Sequence, residues 1–229
     1  MRKGLTEIVY ILDRSGSMNG LEADTIGGFN SMITKQKKAG GEALVSTILF
    51  DDRCEVLYDR IDISDVPEMT GEQYYVRGCT ALLDAVGGAV DHIRNIHKYA
   101  REEDRPEKTI FIITTDGMEN ASCDYSYDRI RRMIGRQQET VGWEFIFIGA
   151  NIDSFAEAAR FGIKKNRTAN YVHDEEGTMN VYAGVAKAVC SVMSAASAEE
   201  VDKRLDESGW NEEINADYSK RNGKNGGRR

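Results

Sequence analysis

Short apolar segments alternate along the chain with longer stretches in which apolar residues recur every three or four positions. Segments 8–12, 43–50, 108–114 and 144–149 have strand length, and the runs at 110–113 and 145–148 are unbroken. Unbroken apolar runs are typical of strands that are covered on both faces. Segment 54–58 follows 43–50 too closely for a helical crossover, so these two segments are predicted to pair as an antiparallel hairpin.

Helical periodicity is clearest between residues 81 and 100, where apolar side chains form one stripe of a long amphipathic helix. A helix is also predicted at 20–39, although Gly27 and Gly28 interrupt its pattern. Further helices are predicted at 125–140, 154–162, 181–193 and, mostly charged, from 197 to about 209, with a last short strand at 168–172.

This order of elements predicts an α/β fold. Strands and helices alternate, which favours a Rossmann-like three-layer α/β/α sandwich whose sheet is mainly parallel, with one antiparallel edge strand. We expect a principal domain over residues 1–196, a helical extension over 197–218 and a basic, disordered tail over 219–229. In such sheets ligands bind beyond the carboxyl ends of the strands, so that edge is where a site is expected.

Composition and charge narrow the classes of function. The 229 residues are 41% hydrophobic and 30% charged, as in a globular protein, and the net charge of −8 disfavours nucleic acid as a partner. No apolar run approaches the roughly 20 residues of a membrane span, and the N-terminus lacks the apolar core of a signal peptide. A cytoplasmic location without membrane contact is therefore expected. Four cysteines without Cys-x-x-Cys spacing and three histidines argue against a zinc site and favour free thiols.

Oxygen-bearing side chains follow two of the predicted buried strands. Asp13, Ser15 and Ser17 are spaced two residues apart, so an extended loop would point them to one side. Thr80 precedes the helix at 81–100, and Asp116 follows the strand at 108–114. Together they offer two carboxylates and three hydroxyls, a hard donor set that suits Mg²⁺ or Mn²⁺ better than Zn²⁺ or Cu²⁺.

These motifs resemble the von Willebrand factor A family. The matching features are Asp-x-Ser-x-Ser after a first apolar strand, a Thr at the start of a central helix and Asp-Gly after a later strand, within roughly residues 5–195. The family's ion site is called the metal-ion-dependent adhesion site. The resemblance implies that Ser15, Ser17 and Thr80 bind the ion directly, and that Asp13 and Asp116 act directly or through water. It also implies a protein-binding module, not an enzyme, in which an Asp or Glu of a protein partner completes the coordination of the ion.

The chain is similar to stand-alone intracellular bacterial members of this family more than to secreted adhesins, and a monomer is expected. Two alternatives stay open. One is a Mg²⁺-dependent phosphohydrolase, although haloacid-dehalogenase-like enzymes need a second Asp where Ser15 stands. The other is an assembly subunit with a purely structural metal site.

Several residues near the motifs receive ordinary structural interpretations. Arg14 is expected to be a solvated charge, Asp51 and Asp52 turn residues, and His92 and His97 structural or surface groups. In relatives with regulated affinity the C-terminal helix slides when the metal site rearranges. For the helix at 181–193 a static packing role is the preferred interpretation.

Overall fold

The computed structural model describes residues 1–222, and the strands in this range form one sheet in the order β3-β2-β1-β4-β5-β6. All neighbouring strands are parallel except β3, which runs antiparallel to β2 at one edge. The predicted mainly parallel sheet with one antiparallel edge strand is confirmed. The strands are β1 Arg2–Asp13, β2 Ala43–Phe50, β3 Cys54–Asp62, β4 Pro106–Thr115, β5 Glu144–Gly149 and β6 Thr168–Asn170.

Helices cover both faces of the sheet. Alternation along β1 sends Ile8, Tyr10 and Leu12 into the core under one helical layer, while Val9 and Ile11 face the other. The first layer contains α1 and α5, and the second contains α2, α3 and α4. The helices are α1 Glu22–Ala39, α2 Leu82–Tyr99, α3 Tyr127–Val141, α4 Ser154–Phe161, α5 Glu175–Met193, α6 Val201–Glu207 and α7 Glu212–Asn222.

Helix α1 runs without a break through the two glycines that interrupt its sequence pattern. A Cβ on Gly28 would lie 2.2 Å from the ring of Tyr182 on α5, whereas a Cβ on Gly27 would have no atom of the described residues within 4 Å. Gly28 therefore allows α1 and α5 to pack closely, and the interruption marks a helix contact, not a helix end.

The C-terminal helices pack against the rest of the fold. Trp210 is 2% exposed, and the backbone carbonyl of Trp210 lies where Gly184 of α5 has no side chain. Buried Arg167 pairs with Glu144 of β5 and with Asp206 of α6. Helix α7 continues to Asn222, so residues 219–222 are helical and the expected boundary of a disordered tail at 219 is wrong. Residues 223–229 of that tail lie outside the described residues.

Helix α5 begins at Glu175, earlier than the predicted 181, because Asp174 caps it by accepting a hydrogen bond from the Gly177 amide. Its other end is fixed by buried Lys108, whose Nζ donates to the carbonyls of Met193 and Ala195, at 2.9 Å each. Between residues 1 and 222, every helix is too short or too polar to cross a bilayer.

Candidate metal centre

The structure brings all five predicted residues together at the carboxyl edge of the sheet. Asp13 is the last residue of β1, and Asp116 directly follows β4, the strand hydrogen-bonded beside β1. Ser15 and Ser17 lie in the short loop after β1, and Thr80 lies two residues before α2. Neighbouring parallel strands end at the same edge, which is why residues a hundred positions apart in sequence meet here.

Three hydroxyl oxygens form the centre of this cluster. The Ser15 and Ser17 Oγ atoms are 2.9 Å apart, and Thr80 Oγ1 donates to Ser15 Oγ at 3.0 Å. Ser17 Oγ also donates to Asp116 Oδ1 at 2.5 Å. In an octahedral Mg²⁺ site with ligands at about 2.1 Å, adjacent ligand oxygens lie about 3 Å apart. The hydroxyl spacings match that edge length, so the donor set fits a small hard ion.

Both carboxylate oxygens of Asp13 accept hydrogen bonds from neighbouring residues of the chain. Its Oδ1 accepts from the Ser15 amide at 2.7 Å, and its Oδ2 accepts from Thr115 Oγ1 at 2.6 Å. Burial raises the pKa of the Asp13 carboxyl to about 6, although these hydrogen bonds act in the opposite direction. Asp13 thus fixes the loop that carries Ser15 and Ser17.

Asp116 is only half satisfied. Its side chain is fully buried, yet Oδ2 has no hydrogen-bond partner within residues 1–222. Burial raises the pKa of this carboxyl, opposed by the hydrogen bond from Ser17 and by the nearby His173. A buried carboxylate oxygen without a partner is costly unless a cation or donor reaches it, and this orphaned atom lies beside the hydroxyl cluster.

Gly117 lets the backbone approach the hydroxyls. A Cβ at this position would stand 3.0 Å from both Ser17 Oγ and Thr80 Oγ1. Any larger residue would crowd the donor atoms. No group of three or more His, Cys, Asp and Glu side chains within residues 1–222 is arranged to hold an ion. Asp13, Ser15, Ser17, Thr80 and Asp116, called the rim cluster below because they lie at the carboxyl edge of the sheet, do not form such a group, since three of the five are hydroxyl residues.

The loop before α2 is tied to the rim by hydrogen bonds. Tyr74 Oη donates to the Asp13 carbonyl at 2.6 Å, and the Gly16 amide donates to the Gly78 carbonyl at 3.1 Å. Asn120 Oδ1 accepts from the Thr80 amide at 2.9 Å. These contacts place the Thr80 hydroxyl against Ser15.

Arg14 is not the solvated charge that the sequence led us to expect. It is fully buried, with Nε 2.8 Å from Asp51 Oδ2 and Nη2 2.7 Å from Glu55 Oε2. The alternation that points Asp13 and Ser15 to one side does send Arg14 to the other. That other side, however, is covered by the loop carrying Tyr75 and Arg77, so it is interior and not solvent.

Asp51 does lie in the turn after β2, as expected, where its Oδ1 accepts from the Arg53 amide, but it is also part of a buried ion pair. Its buried carboxylate accepts from Arg14 and, at 2.7 Å, from Arg77 Nε. Burial alone would raise the pKa of Asp51, but Arg77, the Arg53 amide and Arg14 hold it below its usual range. The Asp51 carbonyl accepts from the Ala81 amide at 2.8 Å, which joins this ion pair to the Thr80 loop.

His173 is a rim residue that sequence reasoning missed. It lies three residues after the end of β6, at the same edge of the sheet as Asp13, and its Nδ1 is 2.9 Å from Asp116 Oδ2. The signal was weak because β6 has only three residues. His173 also lines a cleft of about 480 Å³ with Met118 and Tyr218.

No family model and no curated protein matches the sequence. Solved structures do match. Proximal thread matrix protein 1 from the mussel byssus is 15% identical, with a TM-score of 0.55, over 82% of this chain and 47% of that one. The von Willebrand factor type A protein from Catenulispora acidiphila is 13% identical, with a TM-score of 0.53, over 87% of this chain and 42% of that one. The fold is that of a von Willebrand factor A domain. The chain spans less than half the length of these two proteins.

A third structure with the von Willebrand factor A fold is the manganese-loaded TRAP protein of Plasmodium vivax, which is 14% identical. Its TM-score is 0.50, over 78% of this chain and 73% of that one. Another structure of the mussel protein has zinc in its metal-ion-dependent adhesion site motif.

Proposed function

We propose that this chain is a metal-ion-dependent protein-binding module that holds Mg²⁺ or Mn²⁺ at the rim and binds a carboxylate of a protein partner. The observation that carries the proposal is the trio of hydroxyl oxygens, spaced 2.9 and 3.0 Å apart, beside Asp116 Oδ2, which has no hydrogen-bond partner in the described part of the chain. The metal-loaded states of the mussel and TRAP proteins, which share this fold, support it.

Each residue has a distinct role in this proposal. Ser15, Ser17 and Thr80 supply direct neutral donors, Asp13 holds the serine loop in place, and Asp116 balances the charge of the ion. When bound, the ion supplies an electrophilic position that an Asp or Glu side chain can fill. Neutral hydroxyl donors leave most of the ion's charge for that incoming carboxylate.

Exposed apolar side chains near the rim favour a protein as the partner. Met118, two residues after Asp116, is 73% exposed, and Tyr75, stacked near Arg14, is 42% exposed. Exposed methionine and tyrosine are side chains that protein interfaces use as contacts. They would flank the carboxylate that reaches the ion.

The proposal is of a non-enzymatic protein. Where a phosphohydrolase of the kind considered above would need an acid/base carboxylate, Ser15 contacts the hydroxyls of Ser17 and Thr80 instead. We also propose a cytoplasmic, monomeric bacterial protein. All four cysteines are free thiols, which suits a reducing compartment.

Calorimetric titration with Mg²⁺ and Mn²⁺ tests the site. We expect one ion to bind wild type, and the affinity to fall at least about tenfold in Ser15→Ala/Thr80→Ala, as for other damaged metal sites. A matched control, Thr140→Ala/Ser194→Ala, removes two exposed hydroxyls near the opposite edge and should bind as wild type does. Equal binding by all three proteins, or none by wild type, would refute the assignment.

The partner's carboxylate is tested with Mn²⁺ bound. The Mn²⁺ ion enhances the relaxation rate of water protons, and this enhancement should fall when a peptide containing Glu displaces water from the ion. A matched peptide containing Gln should have no effect. Phosphoester hydrolysis that requires Mg²⁺ and is lost in Asp13→Ala would instead establish an enzyme.

A further inference from the structure

Two buried polar atoms that have no hydrogen-bond partner among residues 1–222 lie side by side at the rim. They are Asp116 Oδ2 and His173 Nδ1, which are 2.9 Å apart. A hydrogen bond would require the Nδ1–H direction to point at the carboxylate, and the geometry of this contact does not meet that requirement. The two atoms therefore do not form a hydrogen bond with each other. Both can instead act as ligands of a third species that lies between them.

The separation of these two atoms is that of adjacent ligands on one ion. Nitrogen and oxygen ligands at about 2.1 Å on an octahedral ion are about 3 Å apart. Asp116 connects this pair to the hydroxyl cluster, because its other oxygen accepts from Ser17. The His173 side chain is 20% exposed while its Nδ1 is buried, so that nitrogen faces the interior of the rim.

Hydrogen bonds on both sides of His173 fix its backbone. The Tyr171 amide donates to the Gly149 carbonyl at 3.0 Å, and the Asp174 amide donates to the Val172 carbonyl at 2.9 Å. Asp174 then caps α5 through the Gly177 amide. His173 is thus fixed between the end of β6 and the start of α5.

We propose that His173 Nδ1 is a direct ligand of the rim ion, beside Asp116, and that it gives the site a preference for Mn²⁺ and Zn²⁺ over Mg²⁺. The inference rests on the proposed function of the same site. A neutral imidazole with its proton on Nε2 presents a lone pair at Nδ1. Imidazole nitrogen raises affinity for transition ions and zinc, whereas Mg²⁺ favours oxygen ligands.

Pulsed electron paramagnetic resonance of the Mn²⁺-loaded protein tests direct coordination. A bound imidazole nitrogen adds a ¹⁴N modulation to the Mn²⁺ echo. We expect it in wild type and not in His173→Gln, whose amide does not reproduce a donor at the Nδ1 position. The control is His92→Asn, which removes an exposed histidine paired with Asp59 and should keep the signal. The sequence has only three histidines, which makes the assignment simple.

Calorimetry supplies a second readout on the same proteins. In His173→Gln we expect Mn²⁺ affinity to fall at least about tenfold and Mg²⁺ affinity to change far less, so the selectivity ratio falls. His173→Asn, which keeps an oxygen donor near the Nδ1 position, should retain ion binding without the ¹⁴N signal. Thermal unfolding without metal checks that each variant folds.

The outcomes separate this inference from the proposed function. Mn²⁺ binding by wild type without ¹⁴N modulation, or with a selectivity ratio unchanged in His173→Gln, overturns the role of His173 and leaves the metal site standing. Absence of ion binding by wild type overturns both. A lost signal together with a reduced Mn²⁺ to Mg²⁺ ratio supports the inference.

Discussion

The buried ion pair behind the rim gives the sharpest stability prediction. Asp51 is completely buried and is the acceptor for both Arg14 and Arg77, so Asp51→Asn removes the charge and leaves Arg14 inside the protein. Breaking a buried pair from one side costs about 3–5 kcal/mol. Because half-exposed Glu55 still pairs with Arg14, we expect the lower end, about 3 kcal/mol.

For a chain of this size that loss lowers the melting temperature by about 6–12 °C, at about 2–4 °C per kcal/mol. Urea titration followed by circular dichroism gives the free energy of unfolding directly. The control is Glu55→Gln, which removes a partner that is 50% exposed and should cost less than about 1 kcal/mol.

A second variant tests the reasoning from the other side. Arg14→Met/Asp51→Leu removes both buried charges, and it should recover part of the stability lost in Asp51→Asn, because well-packed apolar residues replace such pairs at little cost. If Asp51→Asn costs no more than Glu55→Gln, the pair is not a buried, desolvated one and the argument fails.

Three other predictions concern packing, cysteine chemistry and the ion. Gly28→Ala should destabilise by about 1–3 kcal/mol in urea titrations because its Cβ would lie 2.2 Å from the Tyr182 ring. Gly27→Ala, with open space around it, should stabilise by about 0.4–1 kcal/mol, and equal effects would contradict the close helix contact. Although Cys54 is exposed as a residue, partial desolvation of its thiol, together with nearby Asp84 and Asp51, raises the pKa of Cys54 to about 11. Its alkylation rate, followed by mass spectrometry, should therefore still be rising between pH 9 and pH 10, and a plateau below pH 9 would disprove the shift. Mg²⁺ at about 100 times its Kd should raise the free energy of unfolding by about 2.7 kcal/mol in calorimetric scans, and by no more than about 1.4 kcal/mol in Ser15→Ala/Thr80→Ala, whose affinity is at least about tenfold lower.

The sequence predicted the sheet well because its strands carry strong signals. β2 and β5 have the predicted bounds, since turn residues follow each apolar run. Within the helical extension expected over 197–218, the bounds of α7 could not be predicted, because Ile214 is its only buried residue and one apolar position makes no periodic pattern. A sequence pattern shows to which side a side chain points but not what covers that side, which is why the burial of Arg14 was not predicted.

The five rim residues could be predicted because each lies next to a strand end or a helix start. The predicted fold already determines at which edge of the sheet those ends lie. His173 could not, because the strand before it is three residues long and pairs only at an edge. The coordination roles of the five residues remain predictions.

The fastening of α5 has a consequence for communication across the molecule. Lys108 binds the carbonyls of Met193 at the end of α5 and of Ala195 just beyond it, and Arg221 of α7 pairs with Asp174 at the start of α5. Sliding by one turn, about 5.4 Å, would strip a buried ammonium of both acceptors. We therefore expect the coupling free energy between the rim and the opposite edge of the sheet to be close to zero. In such a protein, ligand binding changes only the rim. A second protein that distinguishes the bound from the free form must therefore itself contact the rim.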